Sequence, residues 1–336
     1  MSVLERLPAP IVLAPMAGGP STPELAAAVA DAGGLGFLAA GYRSADQLGG
    51  DLGAVRRLTE RPCGINLFAG APLPVDDEAV AAYARRLEPE AARLGAPLGT
   101  PRWDDDGYAA KVRLALEERP AVVSFTFGCP DTETVASLRD AGVEVWVTVT
   151  HAAEAMVAVS RGVDAVVAQG VEAGGHRGTW DDSDAGDVPL LELVRRTSGL
   201  GVPVVATGGI GDAGAAREAL AAGASAVQLG SAFLLCPEAA THPAHRALLG
   251  EGRETAITRA FTGRRARGIV NRFLLEHSDD APSAYPHVHH LTAPLRAAAR
   301  QAGDGESFNL WAGTQHRRAR AEPARAVVRR LAAELG

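Results

Sequence analysis

Eight short apolar runs recur along this chain, at 11–14, 35–39, 64–67, 122–126, 145–148, 165–168, 204–206 and 226–229, with helical patterns between them. Short apolar runs bounded by glycine and proline read as buried strands. Strands alternating with amphipathic helices require a parallel sheet with crossover connections. The clearest helical patterns lie at 22–31, 132–140, 152–160, 190–197 and 213–221. Gly33, Gly142, Gly162 and Gly223 stand where a left-handed residue closes a helix. Eight such units predict an α/β fold of the (β/α)8 TIM-barrel class. A doubly wound open sheet is the alternative, weakened because no GxGxxG opens the first helix.

At 336 residues the chain exceeds a minimal barrel of about 250 residues. The excess has two parts. Residues 70–110 read as an insertion with a helical segment at 76–94 and a loop, GAPLGTPRWDDDGY. Residues 236–336 read as a helical extension following a barrel of residues 1–235, with AYPHVHHLTAPLRAAARQAG as a loop and then a helix. Both are expected over the catalytic mouth, the end that barrel enzymes elaborate. The net charge of −7 argues against a nucleic-acid surface. No apolar run is long enough for a membrane span, and the N-terminal residues do not read as a signal peptide, so a cytoplasmic location is expected. Cys63, Cys129 and Cys236 are too scattered for a disulfide scaffold or zinc site. Composition leaves monomer and homodimer equally open.

Chemistry concentrates at the strand ends. The sixth run enters a loop, VVAQGVEAGGHRG, that presents His176 after Gly174 and Gly175. The seventh run meets Gly208 and Gly209, and the eighth meets Gly230 and Ser231. Glycines there let backbone N–H groups approach a phosphate. Lys111, the single lysine, sits in an amphipathic pattern and reads as part of a solvated face, so phosphate binding falls to backbone, hydroxyl or arginine. Pro15, Met16, Ala17 and Gly18 end the first run with small or soft residues suited to a flat ring. Asn66, Gln169 and Gln228 are amides inside apolar runs, and a buried amide needs partners. Together these features suggest a phosphate-anchored cofactor with a reactive site beside it.

The segments APMAGGPSTPELAAAVADAGGLGFLAAG, GINLF, VVSFTFGCP, VVAQGVEAGGHRG, VVATGGI, QLGSAFLLCPEA and AYPHVHHLTAPLRAAA, in this order, resemble the nitronate monooxygenases, flavin-dependent enzymes once called 2-nitropropane dioxygenases. The resemblance implies FMN, with its ring against Pro15–Gly18 and Asn66 and its phosphate at Gly208, Gly209, Gly230 and Ser231. Many relatives carry threonine where Ser231 stands, which keeps the hydroxyl. It implies His176 as the group acting on a nitronate or nitroalkane, with O2 as co-substrate. The imidazole would either abstract an α-proton or hydrogen-bond the nitro oxygens. Ser124 is expected in a supporting catalytic role, and Cys129 as an inert small residue. Tyr285 and His289 would line a substrate lid. The cluster of His287, His289 and His290 lacks carboxylates or cysteines at ligand spacing, so no metal is expected. Arg264, Arg265 and Arg267 read as surface or tail-docking residues, with binding of a substrate carboxylate as the alternative. Three rivals remain: an NAD(P)H-dependent quinone or enoyl-acyl-carrier-protein reductase on the same scaffold, a flavin-free isomerase or lyase of a phosphorylated metabolite, and a flavin-binding module without turnover.

Overall fold

The computed structural model describes residues 1–72, 74–183 and 187–335. Its barrel strands are β1 (Ile11–Leu13), β2 (Gly36–Ala39), β3 (Cys63–Phe68), β4 (Val122–Thr126), β5 (Glu144–Val149), β6 (Ala165–Gln169) and, beyond the two-residue β7 (Gly175–His176), β8 (Val204–Thr207) and β9 (Ala226–Leu229). All eight are parallel, and from β2 onward each pairs with the next in sequence once β7 is set aside. The ring closes where β9 pairs β1, with Ile11 opposite Val227, and where Leu13 N donates to Leu35 O at 2.9 Å. This is the TIM-barrel class, and the closure excludes an open doubly wound sheet. The helix-ending glycines do adopt positive φ: 98° at Gly33, 82° at Gly142, 85° at Gly162 and 112° at Gly223.

The barrel interior is filled. Phe37 and Trp146 are fully buried in its lower layer, with ring centroids 5.8 Å apart. A Cβ on Gly64 would lie 2.5 Å from the Phe37 ring, so that strand position admits no side chain. Val3, on a short helix capped by Ser2, packs into the same layer and donates its N–H to Glu144 Oε1 at 2.5 Å.

Three expectations need correcting. The expected single helical segment at 76–94 is two helices, Asp77–Arg86 and Glu88–Leu94, because Leu87 caps the first and Pro89 opens the second. Residue 73 of that insertion lies outside the described residues. The boundary at 235 does not hold either. The final helix, Ala324–Leu335, returns to the barrel wall, where Ala324, Val327, Val328 and Leu331 join the core with Leu25 and Ala216. The C-terminal elaboration is therefore residues 236–323, inserted before the barrel's last helix. Lys111 is not solvated: it is 1% exposed, and its Nζ donates to Ala40 O at 2.9 Å and Asp106 Oδ2 at 2.5 Å. Lys111 and Ala115, four residues apart, form the face that the helix buries.

The elaboration brings a small antiparallel sheet. Strands β10 (Thr255–Thr258) and β11 (Ala266–Ile269) pair with each other, and β11 pairs with β7, Ala266 opposite His176. A second core joins Val80, Tyr83 and Leu87 of the insertion to Leu291 and Leu295 of the helix His287–Gln301, which begins at the histidine cluster itself. Among the described residues no helix is long and apolar enough to cross a membrane.

Candidate active site

A cavity of about 510 Å³ opens at the carboxyl ends of the barrel strands. Pro15, Met16, Ala17 and Gly18 line it from the loop after β1, and Gly174, Gly175 and His176 from the loop after β6. Gly208, Gly209, Gly230 and Ser231 close its far wall. Gly208 and Gly209 have φ of 110° and 68°, a conformation that side chains resist, so the backbone itself forms this part of the wall. Ser231 Oγ accepts from Gly313 N at 2.9 Å, so the C-terminal segment completes this wall.

The three strand-end amides differ in their bonding. Asn66 Nδ2 donates to Ser124 O at 3.2 Å, Ser124 Oγ at 2.9 Å and Thr126 Oγ1 at 2.9 Å. Its donor side is thus satisfied by β4, leaving only Oδ1 for a ligand. Gln169 braces the histidine loop: Nε2 donates to His176 O at 3.1 Å, while Oε1 accepts from Arg177 Nη1 at 2.9 Å and Gly178 N at 2.8 Å. Gln228 is 5% exposed and lines the cavity, and its side chain has no hydrogen bond to a described group. Ser124 shares the inward face with Thr126 but lies one layer deeper, 2% exposed, and does not line the cavity. The structure places it against Asn66, whose Nδ2 donates to its hydroxyl.

His176 faces the cavity, part-exposed to that space and otherwise enclosed by protein. Its Nε2 lies 2.9 Å from Thr262 Oγ1, and no described group bonds Nδ1. Burial pushes its pKa down to about 3, and the guanidiniums of Arg264 and Arg296 push the same way. The ring is neutral at physiological pH.

Around it stand Phe127, Tyr285 and Trp311, with ring centroids 5.8, 5.8 and 5.4 Å away. Phe127 is held at φ 73° and Tyr42 at φ 66°, strained values for side-chain-bearing residues that fit a functional wall. Tyr42 stacks on His289 at 4.3 Å and lines both this cavity and a second one of about 270 Å³. Tyr285 and His289 line the second cavity, beyond Tyr42. His290, also there, places Nε2 2.5 Å from Asp104 Oδ2.

Arg264 is not a surface residue. It is 3% exposed, its guanidinium 4.0 Å from the Phe127 centroid, and it donates to the carbonyls of Arg177 and Thr179. A guanidinium tolerates burial there because aromatic faces and carbonyls replace water. Arg265 and Arg267 do dock the elaboration: Arg265 pairs with Asp187 at 2.7 Å, and Arg267 Nη2 donates to Val171 O at 3.0 Å. Cys129 has its thiol pKa pushed up by burial, in keeping with an inert role.

Sequence reading missed Tyr42, Phe127, Thr262, Arg296 and Trp311. All but two come from the elaboration, and no local periodicity marks them. The usable signal was TAITRAFTGRRARGIV at 255–270, two β-prone runs around Gly263 that form a hairpin beside the histidine loop.

The description "Nitronate monooxygenase" belongs to the family model that matches residues 3–334. A nitronate monooxygenase of Paraburkholderia phytofirmans is 40% identical, covering 97% of this chain and 92% of that protein. One of Pseudomonas aeruginosa is 41% identical, covering 97% and 96%. Among solved structures, nitroalkane oxidase from Streptomyces ansochromogenes superposes with a TM-score of 0.96 at 49% identity, covering 100% of this chain and 98% of that one. FabK from Thermotoga maritima gives 0.74 at 26% identity, covering 99% and 94%. The chain belongs to the nitronate monooxygenase family of oxidoreductases.

Proposed function

We propose that this protein uses FMN to oxidise alkyl nitronates with O2, giving a carbonyl compound and nitrite. FMN bound at the barrel mouth would supply one-electron oxidation and reactivity toward oxygen. The cavity suits it in three respects. Backbone N–H groups at Gly208, Gly209, Gly230 and Ser231 offer a phosphate cradle that needs no lysine. Pro15, Met16, Ala17 and Gly18 offer a flat wall. The unpartnered Gln228 amide and Asn66 Oδ1 offer polar contacts to a ring edge.

The observation that carries the reading is the state of His176. A neutral imidazole flanked by Arg264 and Arg296 is a poor place to create an imidazolium. It favours a substrate that arrives with negative charge. A nitronate does, and His176 would orient its nitro oxygens while the two arginines stabilise the anion through space. Phe127, Tyr285 and Trp311 would exclude water from the reacting carbon.

The test is anaerobic absorbance of the FMN-loaded protein mixed separately with ethyl nitronate and with NADH. Nitronate should deplete the oxidised flavin band and NADH should not. His176→Ala should slow the nitronate reaction by about 10²- to 10³-fold. Fast bleaching by NADH with nitronate inert would transfer the assignment to an NAD(P)H-dependent reductase on the same scaffold.

A further inference from the structure

Part of the cavity lining has no role in the nitronate chemistry argued above. Thr241, His242, His245, Arg300, Phe308 and Asn309 make it up, all from the elaboration. Arg300 poses the question. Its guanidinium lies 5.0 Å from the Phe308 centroid, and Nη2 donates to Asn309 Oδ1 at 2.8 Å. Burial lowers its pKa, and no carboxylate among the described residues offsets that. A cation drawn out of water without a counter-ion is costly.

Its neighbours are also short of partners. His245 Nε2 and Thr241 Oγ1, each on a side chain 6% exposed, bond no described group. His242 Nδ1 accepts from Ala244 N at 3.2 Å, which leaves its Nε2 without a described partner. One cation and the polar side chains of three neighbours gather here, and no carboxylate lines the cavity.

We propose that this part of the cavity is an oxyanion subsite, built on Arg300, that takes a carboxylate or phosphate group distinct from the cofactor's phosphate. The guanidinium fork matches both groups in geometry. Thr241, His242 and His245 complete the polar lining. The cofactor's phosphate is already provided for by the glycine wall at β8 and β9, a separate set of residues. A part-exposed arginine lining the cavity with no carboxylate beside it selects ligands that carry an oxyanion, whether as a substrate tail or as a free ion. This inference does not depend on nitronate turnover.

The experiment is calorimetric titration of the FMN-saturated protein with acetate and, separately, inorganic phosphate. Wild type should bind one anion per chain, and the anion should raise its Tm. Arg300→Met should weaken binding by about tenfold or more with FMN content unchanged. Arg300→Lys, which keeps charge and loses the fork, should weaken it less, and it gives the same reading if the methionine variant folds poorly. Absence of anion binding in wild type, or equal binding in both variants, overturns the subsite. Loss of FMN from Arg300→Met with acetate binding intact would instead assign Arg300 to the cofactor. None of these readouts involves turnover, so failure of the nitronate reading leaves a different signature.

Discussion

The smallest unit with consequences is the pair His176 and Thr262. Thr262 Oγ1 lies 2.9 Å from Nε2 and receives Arg264 N–H at 3.4 Å, so the hydroxyl fixes which ring nitrogen is left for a ligand. We expect Thr262 to act as a positioning residue. Thr262→Val keeps the shape and removes the bond, and kcat should fall by about tenfold at nearly constant KM, the worth of one hydrogen bond. Thr262→Ser should restore it, which a packing role would not. Because His176 ionises only near 3, kcat/KM on a preformed nitronate should run flat from about pH 5 to about pH 8. An inflection near the ordinary histidine value of 6.5 would show a solvated ring and remove the electrostatic argument. Lys111 teaches the converse lesson about reading sequence. Its amphipathic pattern was legible, but the side it buries was not, since only the neighbouring Ala40 carbonyl and Asp106 make a buried ammonium tolerable.

At the scale of elements, the division between legible and hidden follows contact distance along the chain. Strand β4 at 122–126 and the helices at 132–140, 152–160, 190–197 and 213–221 fall on the expected residues, because each declares itself by local periodicity and a local stop. Strand β7 has two residues and exists only because β11 pairs with it some ninety positions later. Nothing local could reveal it, so His176 read as a loop residue when it is the edge of a sheet. The fit of these elements is testable at Gly174. A Cβ there would lie 2.4 Å from Gly313 N and 2.5 Å from Ala312 C, backbone that cannot rotate away. Gly174→Ala should therefore push the 312–315 segment off the glycine wall, costing about 1–3 kcal/mol. It should also weaken FMN retention in equilibrium dialysis. Gly175→Ala, with open space around its Cβ and only a φ of 75° against it, should cost about 1–2 kcal/mol and spare FMN binding. Equal FMN affinity in wild type and Gly174→Ala would refute the interlock.

Over the whole molecule, the elaboration buries imidazoles, and that makes the fold acid-sensitive. Burial holds His176 near 3, His245 near 4 and His289 near 2, each well below the ordinary 6.5. The unfolded chain therefore takes up protons below about pH 6.5 that the folded chain refuses, and stability rises with pH across that window. Each fully titrating histidine contributes a slope of about 1.4 kcal/mol per pH unit, lost progressively as pH falls toward its folded value. Glu90, held down at about 2 chiefly by Arg272 and Arg93 against its burial, adds a further loss only below its ordinary 4.5. The urea midpoint should then drop steeply between about pH 6.5 and about pH 5, before carboxylates titrate, and stay level from about pH 7 upward. His176, His245 and His289 all lie where residues 236–323 meet the barrel mouth, and burial lowers His277, His290 and His316 as well, so a His289→Phe variant should flatten that slope by about a sixth to a third. A midpoint unchanged from about pH 7.5 to about pH 5 would mean that water reaches these rings in solution, and that the elaboration does not seal the mouth as the cavity and its walls require.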